Sequence, residues 1–182
     1  MRSLLIVLAA VGALPLFAMA ADNAPVDQAR LTVGMPAYVW HPNDRSGGRD
    51  WNQGWFNNEG VLVDATWPVR KLGEDTMFRA GVTAGAFDNS EFHTSVFAGG
   101  VAEVETFATK RLAFSLGTYA GGITGYGGVN PALAPYVGTS YAVTDRVEAG
   151  VRGFWLPART IGGSDLADSD AYIAAITIGT RF

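Results

Sequence analysis

Ala171-Tyr172-Ile173-Ala174-Ala175-Ile176-Thr177-Ile178-Gly179-Thr180-Arg181-Phe182 is the stretch that decides the fold. Side chains of an extended strand alternate between two faces, so Tyr172, Ala174, Ile176, Ile178, Thr180 and Phe182 share one of them. A terminal aromatic on an alternating strand resembles the address read by the machinery that inserts outer-membrane barrels. Period-two alternation recurs upstream, and helical periodicity is absent. Eight segments carry it, near 30–40, 59–69, 77–88, 91–104, 111–122, 133–143, 146–157 and 171–182. In the second, Val61, Val63, Ala65, Trp67 and Val69 oppose Asp64 and Thr66. In the fifth, Leu112, Phe114 and Leu116 oppose Ala113, Ser115, Gly117 and Tyr119. In the seventh, Val147, Ala149, Val151 and Trp155 oppose Glu148 and Arg152. Segments of roughly ten residues with one lipid-compatible face match transmembrane β-strands. The expected fold is an all-β, eight-stranded antiparallel transmembrane β-barrel, with a soluble sandwich as the alternative.

The N-terminus agrees. Arg2, the apolar run Leu4 to Phe17 and Ala18-Met19-Ala20 read as a signal peptide over residues 1–20. Residues 21–182 then form one barrel domain, expected in the bacterial outer membrane. No later run is long and apolar enough for a transmembrane helix. Of the 13 Lys and Arg, Arg2 leaves with the leader, so 12 remain against 17 acids and the mature net charge is −5. Nothing basic is clustered, which removes nucleic acid as a partner. The absence of cysteine removes disulfides and thiolate metal sites. The 23 glycines and the low charged fraction of 16% suit a narrow barrel with lipid outside and small side chains within.

An even strand number with both termini in the periplasm fixes sidedness. Short turns fall at 70–76, 105–110 and 144–145, while 41–58, 89–90, 123–132 and 158–170 face outward. Trp51 and Trp55 in the first outer connection suit the headgroup level. Eight strands leave an interior filled by side chains or wide enough for one small ligand. Chemistry therefore belongs at the rim, in the loops or in an upper pocket. His41 ends the first strand and Ser90 follows the third, both at the outer rim. A histidine near a serine can serve acyl transfer, because imidazole exchanges protons near neutral pH.

Several short matches in order resemble the outer-membrane lipid A palmitoyltransferases (PagP-type acyltransferases). They are Pro36-Ala37-Tyr38-Val39-Trp40-His41, Phe87-Asp88-Asn89-Ser90, Thr118-Tyr119-Ala120-Gly121-Gly122-Ile123-Thr124, Asn130-Pro131-Ala132-Leu133-Ala134-Pro135 and Trp155-Leu156-Pro157. The resemblance implies transfer of a palmitate-like acyl chain from a phospholipid donor to lipid A. It implies His41 as the proton-transfer residue, with Asn89 and Ser90 orienting or polarising it. It implies no cofactor and no metal, since the donor ester supplies the driving force. In the family, wall breaks at prolines admit a lipid chain, which makes Pro36, Pro131, Pro135 and Pro157 substrate-binding candidates. Proline cannot donate a ladder hydrogen bond, so each must weaken the wall locally. Gly85, Gly99, Gly117 and Gly138 would leave room for an acyl pocket if they point inward, and Gly99, or almost as well Gly100, aligns with the family's depth-setting glycine. The expected partners are the phospholipid donor, the lipid A acceptor and, through Phe182, the barrel-assembly machinery; a monomer is expected.

This sequence also departs from the family. Asn89 replaces its aspartate, the arginine after its fifth strand has no counterpart, and its N-terminal helix is absent or very short. Two other readings stay open. One is a lipid A deacylase using His93 and Ser95, which alternation puts on one face. The other is a non-enzymatic small outer-membrane barrel.

Overall fold

Strong alternation produces long strands wherever the sequence carries it. They are β1 (Arg30–Trp40), β2 (Gly54–Trp55), β3 (Gly60–Lys71), β4 (Thr76–Asp88), β5 (Thr94–Phe107), β6 (Leu112–Ile123), β7 (Asn130–Ala142), β8 (Val147–Leu156) and β9 (Ala171–Arg181). The computed structural model describes residues 27–41, 54–55, 59–89, 93–125, 128–157 and 170–182. The expected signal peptide at 1–20, Trp51 and Ser90 lie outside those residues. Each long strand pairs antiparallel with its successor, and β9 returns to β1 from Arg30↔Arg181 to Trp40↔Tyr172. The eight-stranded wall is thus closed and edge-free. An 11-residue strand tilted at ~40° spans roughly 28 Å, enough to cross a hydrocarbon core.

Several boundaries differ from expectation. Strand β5, expected over 91–104, runs from Thr94 to Phe107, so Glu105 lies in the strand and not in the turn expected at 105–110. The outer connection after β1 contains a ninth element, the two-residue β2, paired with β1 at Tyr38↔Trp55 and Val39↔Gly54. Strand β7 starts at Asn130, so Pro131 lies within the wall and not in the preceding loop. Turn chemistry sets the short periplasmic connections. Thr109 Oγ1 accepts from Leu112 N at 3.0 Å, and Thr144 Oγ1 accepts from Val147 N at 3.0 Å. These side chains imitate a backbone turn acceptor.

The wall is apolar outside, and its buried charges all lie within. Trp67, Val82, Phe114, Leu116, Val137, Val151, Ile176 and Ile178 are exposed. Arg30, Asp64, Arg79, Glu103, Glu105, Glu148, Arg152 and Arg181 are buried inside. A water-soluble barrel would invert this arrangement; a bilayer requires it. Trp40 and Tyr172 lie 5.7 Å apart near the outer rim, and Trp155 is paired with Tyr172. Those rings form one arc of an interfacial belt.

Candidate functional site

The periplasmic half of the interior is filled by an ion-pair network. Strands place Arg30, Arg79, Arg152 and Arg181 against Asp64, Glu103, Glu105 and Glu148, four cations facing four carboxylates. Arg30 pairs with Glu103 and, at 2.7 Å, with Glu105. Arg181 reaches Glu105 and Glu148, both at 2.7 Å. Arg79 lies 3.7 Å from Glu103 and 3.6 Å from Glu105. Nearer the middle, Arg152 pairs with Asp64 Oδ2, which also accepts from Tyr119 Oη. Tyr136 Oη donates to Glu103 Oε2 at 2.6 Å. Charges removed from water need matched partners; here Arg30, Arg79, Arg181, Glu103 and Glu105 each face more than one, and Asp64 is matched by Arg152. This half is packed and is no channel.

Above the network the lining changes to apolar. A cavity of about 100 Å³ is bounded by residues that include Gly34, Pro36, Leu62, Phe97, Ala132 and Phe154. Asp64, Arg152 and Tyr119 also bound it, and through their ion pair and hydrogen bonds they continue into the network below. From Arg152 to Leu156 the strand rises roughly 10 Å along the barrel axis. Tyr119, Tyr136 and Phe154 form an aromatic cluster with centroids 5.0 to 5.7 Å apart.

The cavity borders two weakened seams. Along β1, Ala29 N donates to Phe182 O, so odd residues bond toward β9 and even ones toward β3. Pro36 is even and lacks the N–H that would continue the β3 ladder; that register stops at Gly34↔Leu62. Past Pro36 the pairing with β9 shifts by one residue, a bulge before Tyr38. On β7, Ala142 N donates to Arg111 O and Val143 N to Val147 O, so odd residues bond toward β8. Pro131 and Pro135 are both odd. On β8 the odd residues bond toward β7, and Pro157 is one of them. The β7–β8 register accordingly ends at Tyr136↔Phe154, although β7 continues to Asn130 and β8 to Leu156. Proline has removed backbone donors on one defined side at each seam. Pro36 also lines the cavity, whereas Pro131, Pro135 and Pro157 act through the backbone.

The inward glycines serve a purpose other than the one expected. Gly85, Gly99, Gly117 and Gly138 share the inward face, yet none of them lines the cavity. A Cβ at Gly99 would overlap Ala120 O and lie 2.7 Å from Gly121 Cα, its cross-strand partner. Gly99 therefore permits close approach of β5 and β6, and it does not deepen the pocket. A Cβ at Gly117 would lie 2.6 Å from the Tyr136 ring, and one at Gly138 would lie 3.1 Å from the Arg152 side chain. The space that these two leave is occupied by the polar interior.

At the rim, His41 is buried and its Nδ1 lies 3.2 Å from Asp170 O, on the β9 side. Asn89 is clasped on the β5–β6 side. Its Nδ2 donates to Ser95 Oγ at 3.0 Å and to Gly125 O at 3.1 Å, while its Oδ1 accepts from His93 N at 3.0 Å. Gly125 has φ +92°, and a Cβ there would overlap Ser95 Oγ, so glycine is required at that position. Asn89 thus ties two outer loops together. His93 and Ser95 differ in burial and setting. Ser95 is fully buried as a partner of Asn89, whereas His93 sits exposed in the bend before β5. His93 precedes the strand, so alternation does not fix which way it faces. Sequence reasoning also missed the network and the aromatic cavity wall. The available signal was charge recurring at alternate positions, Glu103 and Glu105 above all, opposite the lipid face.

The sequence matches no protein-family model and no curated protein. Solved structures are similar in fold. Neisserial surface protein A superposes with a TM-score of 0.61 at 15% identity, covering 86% of this chain and 97% of that one. The attachment invasion locus protein Ail of Yersinia pestis gives 0.53 at 12% identity, covering 86% and 99%. A de novo designed transmembrane β-barrel gives 0.51 at 13% identity, covering 86% and 96%. The chain therefore has the closed, eight-stranded fold of the small bacterial outer-membrane β-barrels.

Proposed function

We propose that this barrel accepts a phospholipid acyl chain from the bilayer and transfers it to lipid A at the outer leaflet. The observation that carries the reading is an apolar cavity in the outer half, bordered by two wall seams from which prolines have removed the ladder donors. A cavity closed below by ion pairs and bordered by weak wall is suited to a chain arriving sideways from lipid. The spaced matches to the lipid A palmitoyltransferases add support at Pro36, His41, Pro131, Pro135 and Pro157. His41 is the proton-transfer residue in this reading, held at the rim by Asp170 O. In that role it takes the proton from the acceptor hydroxyl as that oxygen attacks the donor ester, and returns it to the lysophospholipid oxygen as the old ester bond breaks.

A second reading is a small barrel without turnover, and the observation that favours it is Asn89. Its amide is engaged in loop-to-loop hydrogen bonds, and it has no charge with which to polarise a neighbour. Mass spectrometry of lipid A from cells with and without the protein separates the readings. An added acyl chain that disappears with His41→Ala supports transfer, and a lost chain means deacylation. Unchanged lipid A overturns enzymatic activity in favour of the second reading.

A further inference from the structure

The outer rim of the wall is aromatic on one side only. Trp40, Tyr172 and Trp155 are cross-strand neighbours in one row, through the pairs Trp40↔Tyr172 and Trp155↔Tyr172. Each faces outward and is at least 41% exposed. Among the described residues, the outer halves of β3 to β7 present no outward aromatic. On β4, β5 and β6 those positions hold Ala84, Ala86, Val96, Ala98, Ala120 and Gly122. In the periplasmic half, by contrast, Trp67, Phe114, Tyr141 and Phe182 are exposed on β3, β6 and β7 and at the end of β9. An interfacial belt accounts for rings spread round the wall, and not for three confined to adjoining strands.

Those strands, β8, β9 and β1, form the panel of wall between the two proline seams. Its inner surface lines the cavity through Phe154, Ile173 and Ala175. At its outer end His41 follows Trp40 directly, with Nδ1 3.2 Å from the carbonyl of Asp170, two residues before Tyr172. Below the ring row, the next outward pair is Ala174 and Gly153. A Cβ at Gly153 would meet nothing closer than Val137 Cγ2 at 4.0 Å. These two small residues leave a recess between the rings and the exposed Ile176 and Val151. Among the described residues no Lys or Arg lies at the outer end of these strands, so the panel offers rings and not a charge match for phosphate.

We propose that the outward surface of this panel docks the glucosamine disaccharide of lipid A, holding it beside His41 and between the seams; its role there as acceptor rests on the acyl-transfer reading above. Aromatic faces carry the negative side of the ring quadrupole and attract the weakly positive C–H groups of a pyranose, while Trp N–H and Tyr O–H can donate to its hydroxyls. Lipid A lies in the outer leaflet, so its sugars sit at the level of the ring row and its acyl chains run down the apolar wall below. The recess at Ala174 and Gly153 gives the edge of a sugar room beneath the rings. Both seams stay open to a donor chain, because the docked headgroup covers neither.

The test uses the full barrel folded in phosphatidylcholine nanodiscs. Indole N–H resonances of Trp40 and Trp155 are the reporters, and that of Trp67, exposed in the periplasmic half, controls for bulk lipid change. Three lipids are titrated: lipid A, a monoglucosyl diacylglycerol with a sugar and no phosphate, and cardiolipin with phosphates and no sugar. Lipid A and the glucosyl lipid should shift both reporters saturably. Lipid A should half-saturate at a mole fraction at least about tenfold below cardiolipin. Tyr172→Leu keeps the lipid face apolar and should raise that mole fraction about tenfold, while Tyr172→Phe should raise it much less. Trp155→Leu, read at Trp40, gives the same comparison if Tyr172→Leu does not fold. Equal responses to all three lipids, or reporter shifts matched at Trp67, mean an ordinary belt and overturn the docking surface. Responses to lipid A and cardiolipin but not to the glucosyl lipid mean phosphate recognition and overturn it equally. Failure of docking leaves acyl transfer standing on the cavity and seams, whereas unchanged lipid A in cells removes transfer and leaves this binding result as it is.

Discussion

Glu105 is the most informative residue to remove. It accepts from Arg30 Nη1 at 2.7 Å and from Arg181 Nη2 at 2.7 Å, and Arg79 Nη1 lies 3.6 Å away. Its side chain is 1% exposed, so water cannot replace it. Glu105→Ala leaves four buried guanidiniums facing three carboxylates. Breaking a buried pair by deleting one partner costs about 3–5 kcal/mol, because the remaining charge stays desolvated. Three cations lose a partner here, which places the expectation at the upper end of that range. Glu105→Gln keeps the volume and one acceptor oxygen and should recover about half of it. The assay is reversible urea unfolding in phospholipid vesicles, read by the shift in gel mobility between folded and unfolded barrel. A Glu105→Ala barrel destabilised by less than about 1 kcal/mol would refute the network as a charge-balanced unit. Replacing Glu105 and Arg181 together with apolar residues should cost less than Glu105→Ala alone, since one charge of each sign then leaves.

Three further outcomes follow from the seams, the cavity and the rim. Pro135→Ala restores an N–H directed at β8, opposite Trp155; amide exchange should show that position protected, with acyl-chain uptake reduced. Unprotected exchange of the restored N–H would mean that something other than the missing donor ends the register. A Cβ at Gly34 would meet nothing closer than Thr177 Cγ2 at 3.6 Å, so Gly34→Ala should fold normally. Gly34→Leu should fill the cavity and abolish chain binding, while the gel-shift behaviour of the barrel is retained. Asn89→Ala removes the clasp between two outer loops and should cost about 1–3 kcal/mol, whereas His41→Ala, which gives up the contact to Asp170 O, should cost less. Comparable losses in unfolding experiments on the two variants would undo the division between a clasp residue and a proton-transfer residue.

The sequence by itself determined the barrel. Period-two alternation is a local property, so the outward face of β9 from Tyr172 to Phe182 and the inward face of β8 at Glu148 and Arg152 could be read without any partner strand. The prolines were also legible as breaks, because a missing N–H belongs to the residue. Which neighbour each break disconnects was not legible, for that depends on the strand's parity toward its two partners. Pro36 severs β1 from β3, and Pro131 and Pro135 weaken β7 against β8, only once the registers are fixed. Gly99 shows the same limit, since an inward glycine is equally consistent with an empty pocket and with close backbone approach. Only the position of β6 distinguishes them. The ion-pair network joins Arg30 to Glu105 across 75 residues of chain, and the cavity above it exists because those side chains fill the lower half. Alternation says which side of the wall a side chain faces; closure of the barrel decides what it meets there.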